Sequence, residues 1–145
     1  MKEIRGDLWS LTGFDIKCIT TNGTIKKNGD AVMGRGCAKE AAQQYPHLPS
    51  LLGVLIEQNG NRVQELDIID SLTLLVAFPV KHNWWEKADI KLIEQSCKQL
   101  IELDEKYKCL LPRPGCGNGQ LDWKTEVKPI CEKYLGDNIT IVSPY

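Results

Sequence analysis

Short runs of apolar and β-branched residues recur along the chain at lengths typical of β-strands. The last strand of the central region, residues 72–78, is almost continuously apolar, as expected for a strand that is buried on both faces of a sheet. Strands are predicted at residues 2–5, 16–21, 108–112 and 139–143, with two or three more within 62–78.

Between these strands, the spacing of apolar residues changes to the period of a helix. Apolar residues recur with this period from Ile90 to about Tyr107, and Pro49 fits the first turn of a helix. Because strands and helices alternate, and the helices suffice to cover both faces of a sheet, we predict a three-layer α/β/α domain spanning residues 1–145. The helices are expected at residues 37–45, 49–57, 90–107 and 124–134.

A glycine-rich loop, residues 113–121, separates the strand 108–112 from the helix 124–134. Its glycines at positions 115, 117 and 119 allow the backbone to adopt positive φ and to approach a ligand closely. The N–H groups of such a loop, with the N-terminus of the next helix, form a concave site for an anion. A single glycine would suit a tight turn, whereas glycine at three alternate positions favours a phosphate-binding loop.

A second glycine-bearing loop, residues 22–36, follows the strand 16–21 and opens the next helix. Irregular loops of this length are usually functional or disordered, and the flanking strand and Gly-x-Gly helix start favour a functional loop here. In open α/β sheets, ligands bind outside the carboxyl ends of the strands. We therefore expect both loops and the segment after residue 78 to converge on one cleft, which would suit a ligand with two linked phosphates.

Three polar side chains near these strand ends are candidate ligand contacts. Asp7 could accept a hydrogen bond from a base amino group or a ribose hydroxyl, or it could cap a turn. Asn22 and Asn28 could bind sugar hydroxyls, since an amide both donates and accepts, or they could be turn asparagines.

Lys81 follows a buried strand and stands close to two tryptophans, Trp84 and Trp85. An amine that is partly desolvated by aromatic rings can act as a nucleophile toward a carbonyl-like carbon. Alternatively, Lys81 stays protonated and pairs with a phosphate. The tryptophans could stack on a base or cover the cleft, and one of them is expected to pack in the core.

Composition narrows the classes of partner. With 18 basic and 19 acidic residues and a net charge of −1, the chain has no global basic field, so DNA would be contacted through a local patch. The charged residues 1–5 do not look like a signal peptide, and no apolar run approaches the ~20 residues of a membrane span. We therefore expect a cytoplasmic protein without a membrane partner.

The six cysteines form no C-x-x-C pair and have only two histidines to join them, so no metal or other cofactor is predicted. Reduced thiols agree with a cytosolic location. Cys116 is the one cysteine in the glycine-rich loop, where it could be a nucleophile or a small side chain that fills the loop. No His or Lys close to it in the sequence would lower its pKa, which favours the second alternative.

Three ordered motifs resemble those of macrodomains. They are TTNG at 20–23 with NGDAVMGRGCA at 28–38, FPVK at 78–81, and PGCGNGQLDW at 114–123. They are most similar to the branch that holds terminal ADP-ribose protein glycohydrolase and the antitoxin macrodomains that remove ADP-ribose from DNA thymidine. The resemblance covers essentially the whole chain. It implies a macrodomain with a mixed, mostly parallel sheet of about six strands.

The resemblance also implies a cleft for ADP-ribose or an ADP-ribosylated macromolecule. In macrodomains the Asp of a Gly-Asp-hydrophobic motif binds the adenine amino group, the second glycine loop holds the diphosphate, and the first loop surrounds the distal ribose. In this branch a lysine acts at the anomeric carbon of that ribose, and Lys81 matches it. The implied ligand contacts are Asp7, Leu8, Asn22, Asn28, Gly34, Arg35, Gly36, Gly115, Cys116, Gly117, Asn118, Gly119, Gln120 and Leu121.

One position departs from the pattern. The protein-directed glycohydrolase carries an acid where this chain has Gly119, and Asp122 instead fits the N-cap of the next helix. This loop is closer to that of the DNA-directed antitoxins. The leading hypothesis is therefore a hydrolase that removes ADP-ribose from DNA or protein through Lys81. The alternatives are a non-catalytic ADP-ribose reader and a phosphatase that acts on ADP-ribose 1″-phosphate.

Overall fold

The computed structural model describes residues 1–103 and 105–145, which form a mixed sheet in the strand order β1-β6-β5-β2-β4-β3. Neighbouring strands are parallel except for β3, which pairs with β4 in the antiparallel sense at one edge. The predicted mixed, mostly parallel sheet is confirmed. The strands are β1 Lys2–Arg5, β2 Ile16–Asn22, β3 Gln64–Ile69, β4 Thr73–Lys81, β5 Cys109–Pro112 and β6 Ile139–Ser143.

Helices cover both faces of the sheet. Successive residues of a strand face opposite sides; accordingly Val76 packs with α3 and α4, while Ala77 packs with α1 and α2. This confirms the predicted three layers. No helix among the described residues is long and apolar enough to cross a membrane. The helices are α1 Cys37–Gln44, α2 Leu48–Asn59, α3 Ile90–Leu100 and α4 Lys128–Tyr134, with a 3-10 turn at Gly117–Gly119 and a π-helical turn at Trp123–Val127.

Two predicted boundaries are wrong. The helix expected to reach Tyr107 ends at Leu100, because the chain turns there and carries Leu103 back against the core. Within that predicted helix, residue 104 lies outside the described residues. The strand expected at 72–78 runs instead from Thr73 to Lys81, since Leu72 belongs to the preceding turn and is 87% exposed.

Helix α2 lies directly against the loop that follows β2. Gly53 makes this possible, since a Cβ built there would lie 1.9 Å from the backbone oxygen of Gly29. Close by, the N–H of Ala31 donates to the carbonyl of Pro49 at 2.8 Å. The helix surface therefore fixes the path of this loop toward the carboxyl edge of the sheet.

Candidate functional site

A cavity of about 620 Å³ lies at the carboxyl ends of the parallel strands. The segments that follow β1, β2, β4, β5 and β6 all contribute to its walls, as the strand order and parallel pairing require. The structure brings most of the predicted site residues together here. Those that line the cavity are Asp7, Leu8, Asn22, Gly34, Arg35, Gly36, Lys81, Gly115, Cys116, Asn118, Gly119 and Gln120.

Three predicted contact residues do not line the cavity. Asn28 is exposed, and its side-chain oxygen accepts a hydrogen bond from the N–H of Asp30 at 3.0 Å, which is the behaviour of a turn asparagine. Leu121 is 8% exposed and packs in the core. Gly117, at φ 73°, takes part in the turn without facing the cavity.

The glycine-rich loop needs glycine most strictly at position 115. Its φ is 72°, and a Cβ there would lie 2.7 Å from Ile93 Cδ1. The loop is closed by the N–H of Leu121, which donates to the carbonyl of Gly115 at 3.0 Å. The backbone at 115 and 119 thus reaches the cavity with no side chain in between, which is the feature that an anion site on backbone groups requires.

Asn22 holds the first loop in shape. This residue is buried, its amide Nδ2 donates to the carbonyl of Val32 at 2.9 Å, and its Oδ1 accepts from the N–H of Thr24 at 2.9 Å. The two glycine-bearing loops meet at Gly36, where a Cβ would lie 3.3 Å from Asn118 Nδ2. Both ends of the Asn22 amide therefore organise the loop, and the residue also lines the cavity.

Asp7 combines both roles that its position suggests. Its Oδ2 accepts a hydrogen bond from the N–H of Ser10 at 3.0 Å and so caps the turn after β1. Within the described residues, Oδ1 makes no hydrogen bond, and Asp7 lines the cavity. One carboxylate oxygen is thus free to accept from a ligand.

The amine of Lys81 lies where two loops meet. Its Nζ donates to the carbonyl oxygens of Trp84 and Asn118, each at 3.4 Å. Both hydrogen bonds are long, so they orient the amine without holding it firmly. Lys81 therefore stands between the glycine-rich loop and the segment that follows β4, which we call the tryptophan loop (residues 82–88).

Both tryptophans of this loop lie at the surface. Trp84 is 53% and Trp85 62% exposed, and their rings form an edge-to-face pair with centroids 5.9 Å apart. The prediction that one of them packs in the core is wrong, because both follow the end of β4 and turn away from the sheet. They line the cavity on the same side as Lys81.

Thr24 joins the first loop to the tryptophan loop, a role that sequence reasoning missed. Its Oγ1 accepts from the N–H of Trp84 at 3.1 Å and donates to Asn83 Oδ1 at 3.3 Å. Asn83 in turn donates through Nδ2 to Glu86 Oε1 at 2.8 Å. No sequence pattern connects residues so far apart in the chain, so no local signal could have identified this network.

The tryptophan loop also packs against the glycine-rich loop. The N–H of Ala88 donates to the carbonyl of Gly119 at 3.0 Å, and a Cβ at position 119 would lie 2.9 Å from Ala88 Cβ. Position 119 therefore has no room for a side chain unless Ala88 moves. The glycine is required by this contact, independently of any ligand.

Cys116 behaves as a packing residue. Burial raises the pKa of its thiol to about 11, although the neighbouring Arg113 acts in the opposite direction. At neutral pH the thiol is therefore protonated and a poor nucleophile. Arg113 also lines the cavity and lies with its guanidinium 5.2 Å from the ring centroid of Trp123, a second contact that sequence reasoning missed.

The predicted N-cap at Asp122 is confirmed. Its Oδ2 accepts from the hydroxyl of Thr125 at 2.7 Å and from the N–H of Thr125 at 2.9 Å, and these hydrogen bonds hold the pKa of the carboxyl below its ordinary value. Glu126 in turn accepts a hydrogen bond from the N–H of Asp122 at 2.7 Å. Asp122 is thus engaged at the start of the π-helical turn and does not line the cavity.

Metal ligands are not grouped in the described part of the chain, where no three His, Cys, Asp or Glu side chains are placed to hold an ion. Six of the described residues that line the cavity carry charged side chains. These are the cations Arg35, Lys81 and Arg113 and the carboxylates Asp7, Glu40 and Glu86.

The sheet order, the helices on both faces and the cleft at the carboxyl edge define a macrodomain fold. The chain is similar to the macrodomain of Mycobacterium tuberculosis DarG, with a TM-score of 0.78 and 20% identity over 99% of this chain and 97% of that one. It is also similar to Thermosipho africanus DarTG in complex with ADP-ribose, with a TM-score of 0.78 and 22% identity over 97% of this chain and 41% of that one. The predicted resemblance to macrodomains is confirmed at the level of the fold.

A curated relative points to the same branch. It is a DNA ADP-ribosyl transferase–DNA ADP-ribosyl glycohydrolase fusion protein of Thermosipho africanus (strain H17ap60334), and it is 27% identical in a match that covers 77% of this chain and 34% of that protein. The chain spans about a third of the length of this relative. No family model matches the chain.

Proposed function

We propose that residues 1–145 form a single macrodomain that binds ADP-ribose and hydrolyses the bond between ADP-ribose and a modified macromolecule. The observation that carries the proposal is the position of Lys81, whose amine lies in the cleft beside the glycine-rich loop, 3.4 Å from the carbonyl of Asn118. The six free cysteines agree with a reducing compartment, and we propose that the protein acts in the cytoplasm.

The dimensions and the chemistry of the cleft support ADP-ribose as the ligand. A volume of about 620 Å³ lies within the ~300–1,000 Å³ of typical ligand sites. The free oxygen of Asp7 suits the adenine amino group, and the backbone of the glycine-rich loop suits the diphosphate. The distal ribose would then lie between Asn22 and Lys81. The similarity to Thermosipho africanus DarTG in complex with ADP-ribose supports ADP-ribose as the ligand.

The chemical role of Lys81 follows from where the distal ribose would lie. In its unprotonated form, the amine can attack the anomeric carbon while the bond from that carbon to the macromolecule breaks. The two weak hydrogen bonds to Trp84 and Asn118 would be exchanged for contacts with the substrate. A lysine that stayed protonated and only paired with phosphate would stabilise binding but not bond cleavage.

DNA is the macromolecule that we favour as substrate. The curated relative is named for DNA ADP-ribosyl glycohydrolase activity, and two exposed indole rings stand beside Lys81. Aromatic side chains stack on unpaired bases without needing a strongly basic protein surface. Trp84 and Trp85 would thus provide the local DNA contact that a chain with a net charge of −1 needs.

A substrate panel tests the proposal. Wild type, Lys81→Ala and Lys81→Arg are incubated with an ADP-ribosylated single-stranded oligonucleotide and with an ADP-ribosylated protein, and the release of ADP-ribose is measured. We expect wild type to act on the oligonucleotide and both variants to lose at least about 100-fold in rate. Arginine keeps the positive charge but is always protonated, so an active Lys81→Arg variant would refute the nucleophilic role.

The second candidate function is an ADP-ribose reader without turnover. It is motivated by glycine at position 119, where the packing of Ala88 leaves no room for an acidic side chain. Titration of ADP-ribose by calorimetry, run beside the substrate panel, separates the two. Binding by wild type without release from either substrate would support the reader, whereas release of phosphate from ADP-ribose 1″-phosphate would identify a phosphatase.

A further inference from the structure

The structure assigns an acid–base residue to the proposed hydrolysis. We infer that Glu86, on the tryptophan loop, donates a proton to the departing group and then removes one from the attacking water. This inference rests on the proposed function, because it gives a role to Glu86 only if the cleft cleaves an ADP-ribosyl bond. It names a residue that none of the three ligand motifs contains.

The reaction needs a group that exchanges protons near Lys81. The atom released from the anomeric carbon must gain a proton, and the water that replaces it must lose one. The described residues that line the cavity include the carboxylates Asp7, Glu40 and Glu86. Asp7 follows β1 and caps a turn there, and Glu40 lies in the first turn of α1, where a negative charge stabilises the helix. Glu86 lies on the same loop that contacts the Lys81 amine.

The tryptophan loop, which carries Glu86, packs against the glycine-rich loop through Ala88. Ala88, two residues further along, donates its N–H to Gly119 and occupies the space that a side chain at 119 would need. The tryptophan loop therefore fills the position above Gly119. In this arrangement residue 119 cannot carry a carboxylate. The tryptophan loop, which occupies that space, carries the carboxylate of Glu86.

The side chain of Glu86 is oriented by a defined hydrogen bond. Asn83 Nδ2 donates to its Oε1 at 2.8 Å, and Asn83 is held through its Oδ1 by the hydroxyl of Thr24 at 3.3 Å. The N–H of Glu86 also donates to the carbonyl of Asn83 at 3.1 Å, which closes a tight turn. Oε2 remains for the proton that the reaction transfers, and Glu86 is exposed on the cavity side of the loop.

The protons and electrons of the two steps balance. In the first step the Lys81 nitrogen bonds to the anomeric carbon, the bond to the macromolecule breaks, and its electron pair leaves with the departing atom, which takes a proton from Glu86. In the second step water attacks the anomeric carbon and gives a proton to the Glu86 carboxylate. The carbon–nitrogen bond breaks, and its electron pair returns to the Lys81 amine.

The test compares Glu86→Gln with Glu57→Gln, a control at an exposed glutamate of α2 that does not line the cleft. Glutamine keeps an oxygen that can accept from Asn83, so the loop should retain its shape. Under single-turnover conditions with saturating protein, we expect Glu86→Gln to release ADP-ribose at least about 100-fold more slowly than wild type. The affinity for free ADP-ribose, measured by calorimetry, should stay within about threefold of wild type, as should the release rate of Glu57→Gln.

Chemical rescue provides a second readout. Formate added to Glu86→Ala should restore part of the lost rate, because a small carboxylate can occupy the vacated space, whereas Lys81→Ala should not respond. The inference is overturned if wild type releases ADP-ribose and Glu86→Gln does so at a rate within about threefold of it. If wild type binds ADP-ribose but releases none, it is the proposed hydrolase function that fails.

Discussion

Gly53→Ala is the substitution whose effect the structure defines most sharply. Alanine is ordinarily favoured over glycine inside a helix by about 1 kcal/mol, and Gly53 lies within α2. Propensity alone would therefore predict a more stable protein. The packing predicts the opposite, because the new Cβ would lie 1.9 Å from the backbone oxygen of Gly29 and 3.0 Å from the N–H nitrogen of Ala31.

The expected loss of stability follows from how far the distance between the new Cβ and the Gly29 oxygen falls short of an ordinary contact. Ordinary contacts of a Cβ begin at 3.4 Å, so the loop and the helix would have to separate by more than an ångström. Overpacking of this kind costs about 1–3 kcal/mol, and a backbone atom that cannot rotate away places the cost near the upper end. Once about 1 kcal/mol of helix propensity is subtracted, the net loss is about 2 kcal/mol.

Urea unfolding of wild type and Gly53→Ala measures this loss, and calorimetry measures the affinity for ADP-ribose. If the first loop moves rather than the helix, part of the lost free energy will appear as weaker binding of ADP-ribose, because this loop lines the cleft. Ser50→Ala, an exposed position on the same helix, is the control and should stay within about 0.5 kcal/mol of wild type. A Gly53→Ala protein that is as stable as wild type and binds ADP-ribose equally well would refute the close approach.

Three further predictions concern the glycine-rich loop and its surroundings. Cys116→Ser should release ADP-ribose at a rate within about threefold of wild type. Because burial raises the pKa of the Cys116 thiol to about 11, its alkylation should accelerate as the pH rises from 7 toward about 11. The hydrogen bond from Lys128 lowers the pKa of Glu3, so its stabilising effect is fully present above the unfolded pKa of ~4.3 and is lost as the pH falls through the lowered pKa. The urea midpoints of wild type and Glu3→Gln should therefore differ at pH 7 and converge once the pH is below the lowered pKa. Gly119→Ala should destabilise the protein by about 1 kcal/mol, and adding Ala88→Gly should restore stability; additive effects in this double-mutant cycle would contradict the 2.9 Å contact.

Local sequence patterns predicted the sheet and the cleft because both depend on short-range signals. Alternation and apolar runs identified the strands, and glycine after a strand identified the loops at their carboxyl ends. The end of α3 could not be read in this way, since Ile101 and Leu103 continue the apolar composition although the chain has already turned. Only the packing of Leu103 against the core distinguishes the turn from another helical turn.

The errors within the site have a common cause. Trp84 and Trp85 are large and apolar, so composition predicted that one of them is buried, yet the end of β4 at Lys81 leaves both on a loop. Thr24 was passed over because its partners, Asn83 and Trp84, lie far away in the sequence. Contacts between distant loops leave no local periodicity, so they become visible only when the strands are assembled.

The same contacts change how Gly119 bears on catalysis. From sequence alone, glycine at this position removes an acid and favours a protein that binds without turnover. In the structure, Ala88 fills that space, and the loop that carries Ala88 also carries Glu86 into the cleft. The missing side chain and the additional carboxylate are therefore two consequences of one packing arrangement, so glycine at 119 does not by itself favour a reader over a hydrolase. What separates them is whether Glu86 and Lys81 act on the same bond, and the Glu86→Gln and Lys81→Arg variants measure that directly.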